Sequence, residues 1–339
     1  MTAGAQSEMH FVTPTYRPAG GVVKVFDYLV HALELGFEAH VHCPLALDED
    51  EPLLAIPRLR GLRGDERVHF HRGLNLGLGQ HGWVLFSWPA HYEQIALGLG
   101  ASAPHERVIH LVQNTRHANP RFADGYALRL LSRPMARIMV AHEVMDAVRP
   151  YLNRDSAATT IVEAHDWEFF YKVRRGVLPR RLSVAYTTWK SDFGLQVERA
   201  IGDRCAFRSI RATASWREVR ELMHWADVFM CCPGPEEGFY LPGLEALAAG
   251  AIVVTPDVGG NRAYARFGVN CVEVGFEDLD GYVAALDQLE RSEPGPIAAL
   301  RHNGYATLEN HRLERERTEF GRFLLEVTAR CQNHVVLPV

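Results

Sequence analysis

The alternation of strand-like and helix-like segments from the beginning of the chain constrains the fold most strongly. A short apolar strand at residues 10–12 leads through a loop ending in Gly20-Gly21 to a helix pattern. The apolar residues of that pattern share one face: Val22, Val25, Phe26, Leu29, Val30 and Leu33. Residues 37–43 then alternate apolar and polar side chains, as a half-buried strand does. A strand, a helix and a strand in this order predict a parallel sheet.

A second alternating series begins after residue 180, with strands predicted at residues 183–187, 228–232 and 251–255. Its helices include one opened by a capping box at residues 215–218 and one at 242–249. The chain is therefore predicted to be α/β, with two doubly wound, Rossmann-like domains facing a cleft. We expect domains at residues 1–175 and 176–314, with a helix at about 315–339 packed back on the first. Ligands of such sheets bind beyond the carboxyl ends of the strands.

Composition excludes several classes of protein. Hydrophobic residues make up 47% of the 339 residues and charged residues 23%, as in an ordinary globular protein. The net charge of −5 does not favour a nucleic-acid partner. Six cysteines without a Cys-x-x-Cys pair indicate reduced thiols, and we expect a cytoplasmic protein. The uncharged residues 73–92 contain four glycines and Pro89, so they make a poor membrane span.

The most informative segment is residues 236–250, which follows a predicted strand and opens a helix. Pro242 suits the first turn of that helix and Gly250 its end. Free backbone N–H groups at a helix start bind phosphate. Glu237 and Glu245 frame this position, and their carboxylates can accept hydrogen bonds from hydroxyl groups. The pattern predicts a sugar and a ribose on either side of a diphosphate, against the alternative of an exposed loop before a buried alanine-rich helix.

Glu237-x7-Glu245, within Glu-Gly-Phe-Tyr-Leu-Pro-x-Leu-Glu-Ala, resembles the signature of the retaining GT-B glycosyltransferases of family four (group 1). Residues 253–261 are similar to the strand and Gly-Gly loop of that family, and Gly20-Gly21 is similar to its N-terminal Gly-Gly loop. Residues 161–170 occupy the place of its hinge segment. The resemblance implies the GT-B fold and retaining transfer of a sugar from a nucleotide-sugar to an acceptor. It implies a front-face mechanism with no metal and no cofactor.

The resemblance also implies roles for individual residues. Glu237 would contact hydroxyls of the donor sugar and Lys190 the diphosphate, and both are predicted to be catalytic. The implied donor-binding residues are Gly21, Arg208, Arg211, Phe239, Tyr240, Leu241 and Glu245. Among them Glu245 would hold the ribose, a loop at residues 208–213 would border the base, and the backbone of residues 239–241 would meet the phosphates. Further sugar or acceptor contacts are predicted at Gly20, Gln113, Asn114, His117 and Trp189.

Three positions depart from the pattern of the family. Residues 186–188 are Tyr-Thr-Thr where the family usually has an arginine before the lysine, so Lys190, Arg208 or Arg211 must compensate charge. Tyr240 stands where the family usually has glycine, and we expect it to crowd or stack on the donor. Gln113-Asn114 stands where many members have a histidine. These departures concern the identity of the donor more than the fold.

Other functions stay open on the sequence alone. One is a non-catalytic protein that binds a nucleotide-sugar, and another is a different GT-B activity such as an epimerase or a phosphorylase. The acceptor would be bound by the N-terminal domain, and membrane association is expected only if that acceptor is a lipid. The oligomeric state is not predicted.

Three further patterns favour structural explanations. The Gly-x-Gly-x-x-Gly pattern at residues 77–82 precedes a predicted strand, so we interpret it as a loop and not a dinucleotide site. Asp278-Leu279-Asp280 opens an amphipathic helix, where acidic residues favour the helix dipole. The pairs His40/His42 and His69/His71 each place two imidazoles on one strand face without an adjacent third ligand. We interpret them as exposed strand histidines and predict no metal site.

Overall fold

The computed structural model describes residues 7–48, 51–74, 76, 82–99, 105–174 and 177–334. The chain forms two compact units, one from the described residues up to Ile161 and from Glu316 onward, the other from Val162–Arg315. The described residues 162–174 thus group with the second unit, although the sequence predicted them in the first. All but the last residue of the 77–82 glycine pattern lies outside the described residues.

The first unit contains a parallel sheet with helices around it. Its described strands are β1 (Glu8–Val12), β2 (Glu38–Cys43), β3 (Val68–Arg72), β4 (Trp83–Phe86), β5 (Val108–Val112), β6 (Ala136–Met139) and β7 (Ala158–Thr160). Its described helices are α1 (Gly20–Glu34), α2 (Tyr92–Leu99), α3 (Tyr126–Leu131), α4 (His142–Val148) and most of α10 (Leu313–His334). The strand order is β3-β2-β1-β4-β5-β6-β7. Phe11, Leu85 and Ile109 on its central strands are fully buried, as a parallel sheet covered on both faces requires.

Helix α1 begins at Gly20, so the expected loop through Gly21 is wrong by two residues. A buried ionic cluster joins this helix to α10. Glu316 on α10 accepts from Lys24 Nζ at 3.1 Å and lies 2.9 Å from His31 Nε2. Lys24 is also 2.9 Å from Asp27. Buried charges need such partners, so the cluster specifies how α10 packs on α1.

The second unit contains a smaller parallel sheet. Its described strands are β8 (Ser183–Thr187), β9 (Ala206–Ile210), β10 (Val228–Met230), β11 (Ile252–Pro256) and β12 (Cys271–Val274). Its described helices are α5 (Phe193–Ile201), α6 (Trp216–Trp225), α7 (Leu241–Ala248), α8 (Leu279–Glu290) and α9 (Pro294–Leu308). The strand order is β12-β11-β10-β8-β9. Strand β9 is added on one side of β8, and β10 to β12 are added on the other side, so the strand order reverses between β8 and β10. This is the topological switch point at which doubly wound sheets bind ligands.

Strand β9 corrects one expectation, because residues 208–210 lie in this strand and not in a loop. The side chains of β9 are half-exposed at the edge of the sheet, so no strong apolar signal marks it. Helix α9 was not identified either, since two prolines and two glycines interrupt its pattern. Its first residue is Pro294, a position at which proline costs no hydrogen bond.

Two predicted helix caps are confirmed. Ser215 Oγ accepts from the Glu218 N–H at 3.2 Å, and Glu218 Oε2 accepts from the Ser215 N–H at 2.7 Å. Asp278 caps α8 by accepting from the Gly281 N–H at 3.0 Å, which explains the Asp-x-Asp pattern. Within the part of the chain that the structure describes, no helix is long and apolar enough to cross a membrane.

Candidate functional site

Two loops extend from the carboxyl ends of the central strands β8 and β10 of the second unit. Lys190 follows β8, which ends at Thr187, and Glu237 follows β10, which ends at Met230. Lys190 Nζ lies 2.8 Å from Glu237 Oε1. The structure therefore brings the two predicted catalytic side chains together at the switch point of the sheet.

The two partners of this pair differ in exposure. The Lys190 side chain is 42% exposed and that of Glu237 is 12% exposed. An exposed ion pair contributes little to stability, typically about 0–1 kcal/mol. The ammonium has three N–H donors, and the bond to Glu237 uses one. Lys190 is thus positioned by Glu237 and keeps donors for an anionic ligand.

The Gly259-Gly260 loop packs against the backbone around Glu237. The Gly260 carbonyl accepts from the Tyr240 N–H at 2.8 Å, so this amide is not free for phosphate as the sequence analysis expected. A Cβ atom on Gly260 would lie 2.7 Å from Glu237 Cβ, closer than real Cβ contacts allow. Glycine at position 260 therefore permits the close approach that places Glu237.

Helix α7 begins at Leu241 next to this loop, with Pro242 in its first turn. Among the described residues, no hydrogen bond takes up the backbone N–H groups of Phe239 and Leu241. The first N–H groups of a helix have no partner within it, and they favour an anion. Two of the three amides predicted to meet the phosphates are thus available.

Tyr240 does not crowd or stack on a donor as expected, because the residue is only 2% exposed. Burial raises the pKa of its phenol well above the usual value. Its backbone carbonyl lies 2.8 Å from the Tyr264 hydroxyl, which is equally close to Asn261 Oδ1. Gly243 allows this arrangement, since a Cβ there would collide with the Tyr264 hydroxyl. Tyr240 is thus a core residue that supports the start of α7.

Glu245, one turn inside α7, contacts a residue that the sequence analysis did not identify. His165 Nε2 lies 2.9 Å from Glu245 Oε1, and both side chains are buried. Burial raises the pKa of Glu245 to about 8. The carboxyl is therefore protonated at neutral pH, so the contact with His165 does not place a carboxylate in the core. Only the position of His165 within the hinge-like residues 161–170 could have indicated it.

The residues predicted near the base are held by neighbours within the second unit. The Arg208 guanidinium lies 4.4 Å from the centre of the Trp225 ring. Arg211 donates to Ser209 Oγ at 3.0 Å and lies 3.5 Å from Glu198. Trp189, 41% exposed, donates from its indole N–H to the Ala212 carbonyl at 2.9 Å. Its ring is thereby fixed beside Lys190, and its contact with a sugar stays a prediction.

The predicted residues of the first unit fall into two groups. Gln113 Nε2 donates to the Gly21 carbonyl at 2.9 Å, and a Cβ on Gly21 would lie 2.9 Å from Gln113 Oε1. Gly20 is the first residue of α1, and Asn114 Oδ1 accepts from Arg116 at 3.2 Å. His117 is instead 4% exposed and stacks between His110 and Phe122, with its pKa lowered to about 4 by burial. It is a core histidine, so it is not available as the predicted sugar or acceptor contact.

Part of the chain that forms this site matches a known protein family. Residues 194–292 match the family described as "Glycosyl transferases group 1". This segment, less than a third of the chain, is similar to the group 1 glycosyltransferases. It contains Glu237, Glu245 and Gly260, and Lys190 lies just before it.

Two curated relatives share part of the chain. The D-inositol 3-phosphate glycosyltransferases of Mycobacterium ulcerans and Mycobacterium marinum are each 36% identical over 83 residues. The matched region is 24% of this chain and 18% of each relative, so it spans less than a fifth of their length.

Solved structures resemble the whole fold. HepE of Anabaena in complex with UDP-glucose is similar over 94% of this chain and 99% of its own, with a TM-score of 0.69 and 14% identity. Sucrose-phosphate synthase of Thermosynechococcus elongatus is similar over 96% and 100%, with a TM-score of 0.70 and 14% identity. The E. coli protein described as trehalose-6-phosphate bound with UDP-2-fluoro glucose is similar over 93% and 98%, with a TM-score of 0.64 and 11% identity. The predicted GT-B fold is thus confirmed.

Proposed function

We propose that this protein transfers a sugar from a nucleotide-sugar donor to an acceptor with retention at the anomeric carbon. The observation that carries the proposal is the Lys190–Glu237 pair at 2.8 Å, beside the start of α7 at the carboxyl ends of β8 and β10. The Lys190 ammonium, the first backbone N–H groups of α7 and the Glu237 carboxylate, which can accept hydrogen bonds from hydroxyls, lie together there. Those are the groups that a diphosphate and its attached sugar require.

Each group has a separate task in this proposal. The remaining donors of Lys190 and the amides of Phe239 and Leu241 bind the diphosphate. They stabilise the charge that develops when the bond from the sugar to the phosphate oxygen breaks. Glu237 accepts hydrogen bonds from the sugar hydroxyls and holds the donor in a reactive position.

Retention follows from departure and attack on the same face of the sugar. The acceptor oxygen forms its bond to the anomeric carbon on the side that the diphosphate leaves. A phosphate oxygen of the leaving group takes the proton of the acceptor hydroxyl. Protein residues supply the charge compensation, so we propose a transfer step that proceeds without a metal ion.

Lys190 must balance more of the negative charge of the diphosphate, because no arginine precedes it in residues 186–188. Tyr186 is buried and donates from its hydroxyl to Glu198. Thr187 is also buried, and neither residue carries a positive charge. Arg208 and Arg211 are engaged by their own neighbours. We therefore propose Lys190 as the principal cation for the diphosphate.

A uridine diphosphate sugar is the proposed donor class. HepE and the E. coli protein of similar fold were solved with UDP-glucose and UDP-2-fluoro glucose. The experiment measures the thermal shift of the chain with UDP, GDP, ADP and dTDP and with their glucose conjugates. A ligand at about 100 times its dissociation constant should stabilise the fold by roughly 2.7 kcal/mol. The largest shift is expected with UDP-glucose.

The same donors are then incubated with a panel of sugar and polyol acceptors, and NMR of the products gives the anomeric configuration. Product with the configuration of the donor supports retention, and inverted product contradicts it. The variant Arg291→Ala, which removes an exposed cation at the end of α8, is the control for Lys190→Ala. Binding without transfer or hydrolysis of donor would favour the non-catalytic alternative, and conversion of donor without acceptor would favour an epimerase.

A further inference from the structure

Five histidines occupy one face of three neighbouring strands in the first unit. In the parallel register, His10 on β1 is opposite His40 on β2, and His40 is opposite His69 on β3. In the next row His42 is opposite His71. Two carboxylates share this face, because Glu8 and Glu38 are also opposite each other. The sequence showed only pairs along single strands, whereas the sheet places the ligands across strands.

The side chains of this face are in direct contact. His10 Nδ1 lies 2.9 Å from His42 Nε2, and His40 Nδ1 lies 3.0 Å from His71 Nε2. His69 Nε2 lies 3.1 Å from Glu38 Oε1. These contacts concentrate nitrogen and oxygen donor atoms on one face of the sheet.

Two groups of three have ligand atoms within 4.8 Å of one another: Glu8 with His10 and His40, and Glu38 with His40 and His69. The second group is the more accessible. The side chains of His69 and Glu38 are 40% and 35% exposed, whereas that of His10 is 4% exposed. Strand β3 is also the edge of the sheet. An ion can enter at Glu38, His40 and His69 without opening the core.

We propose that Glu38, His40 and His69 bind a divalent transition-metal ion of the zinc class. Imidazole suits zinc, copper and nickel, and a carboxylate completes a common three-ligand set. Zinc bonds of 2.0–2.1 Å to tetrahedral ligands imply ligand atoms about 3.3 Å apart. The 3.1 Å between His69 Nε2 and Glu38 Oε1 is already close to that spacing. Rotation of side chains brings His40 into the same shell.

The ion would bridge the edge strand β3 and its neighbour β2. Glu38 is the first residue of β2 and His69 the second of β3, so these ligands lie toward the amino ends of their strands. Ligands of doubly wound sheets bind at the opposite, carboxyl ends. The metal therefore holds the edge strand β3 to β2 and stabilises the first unit.

The test uses the full chain without a histidine tag, treated with EDTA and desalted. Calorimetry with ZnCl2 should show one high-affinity site, and the melting temperature should rise with zinc and not with MgCl2. His69→Gln and Glu38→Gln should each weaken zinc binding by roughly tenfold or more. His302→Gln, which removes an exposed histidine on α9, is the matched control and should bind zinc as the unmodified chain does.

Zinc affinity that is unchanged in both His69→Gln and Glu38→Gln would overturn the proposal. Loss of binding in Glu8→Gln with full binding in Glu38→Gln would also overturn it, because the other group of three would then hold the ion. Both replacements in the proposed site are at partly exposed positions, so folding is expected to persist, and circular dichroism checks it. Sugar transfer measured with and without EDTA is a separate readout, so failure of either proposal can be recognised independently.

Discussion

Replacement of Glu245 by glutamine should change how the stability of this protein depends on pH. Burial raises the pKa of Glu245 from 4.5 to about 8 in the folded chain. The folded state therefore binds this proton more tightly than the unfolded state does. Stability is highest below the unfolded pKa and is lost as pH rises from about 4.5 to about 8. Glutamine does not titrate, so the stability of the Glu245→Gln variant does not fall over this pH range for this reason.

The size of the effect follows from the shift. Each pH unit between the two pKa values changes the free energy of unfolding by about 1.36 kcal/mol. Between about pH 5.5 and pH 7.5, the stability of Glu245→Gln relative to the unmodified chain should therefore rise by about 2.7 kcal/mol. Above about pH 8 the difference becomes constant, because the carboxyl is ionised in both states.

The assay is urea unfolding followed by tryptophan fluorescence at both pH values. The comparison is repeated in a His165→Gln background, so that the imidazole in contact with Glu245 is absent from both proteins. Glu245→Gln should give the same pH-dependent gain there, because the carboxyl and not the imidazole is its source. An equal stability difference at both pH values would refute the assignment of a buried, protonated Glu245.

Other variants test the site and its framework. Lys190→Ala should lower turnover about a hundredfold and also weaken binding of free UDP, because the leaving group loses its cation. Glu237→Gln should lower turnover but leave the affinity for free UDP nearly unchanged in calorimetry, because the amide oxygen of glutamine can still accept from Lys190 and position it. A loss of UDP affinity equal to that of Lys190→Ala would contradict the place of Glu237 beside the sugar. Gly260→Ala should destabilise the fold by about 1–3 kcal/mol in urea unfolding and reduce turnover, since its Cβ displaces Glu237; normal activity would show that the loop tolerates the shift. Ser215→Ala should cost about 1 kcal/mol in urea unfolding with normal turnover, and no loss would mean that the capping box is not formed in solution.

Much of the fold could be predicted because its central strands carry continuous apolar runs and its helices carry periodic ones. Strand β8 buries four consecutive residues, and α6 begins with a capping box and buries Val219, Leu222 and Met223 on one face. Strand β9 could not be predicted in this way, because an edge strand buries little of either face. A local sequence pattern shows which side chains of an element are buried. An edge strand such as β9 buries few of them, so its pattern is weak.

The sequence predicted several residues of the candidate site but not the contacts between them. Glu237 and Lys190 were identified from separate segments, and their ion pair depends on β8 and β10 being neighbours. The burial of Tyr240 was missed because a tyrosine in a glycine position suggests an exposed ring. Its actual place depends on Gly260 and Tyr264, which are distant in sequence and reach it only in the folded unit.

The ionic cluster between α1 and α10 has a consequence for the synthesis of this protein on the ribosome. Lys24 and His31 share a carboxylate that is translated almost three hundred residues later, at Glu316. Until Glu316 emerges, the nascent first unit lacks one of the two anions that contact the buried Lys24. Residues 162–315 are complete by then, so the unit that begins in the middle of the chain can finish folding before the unit that begins at its start.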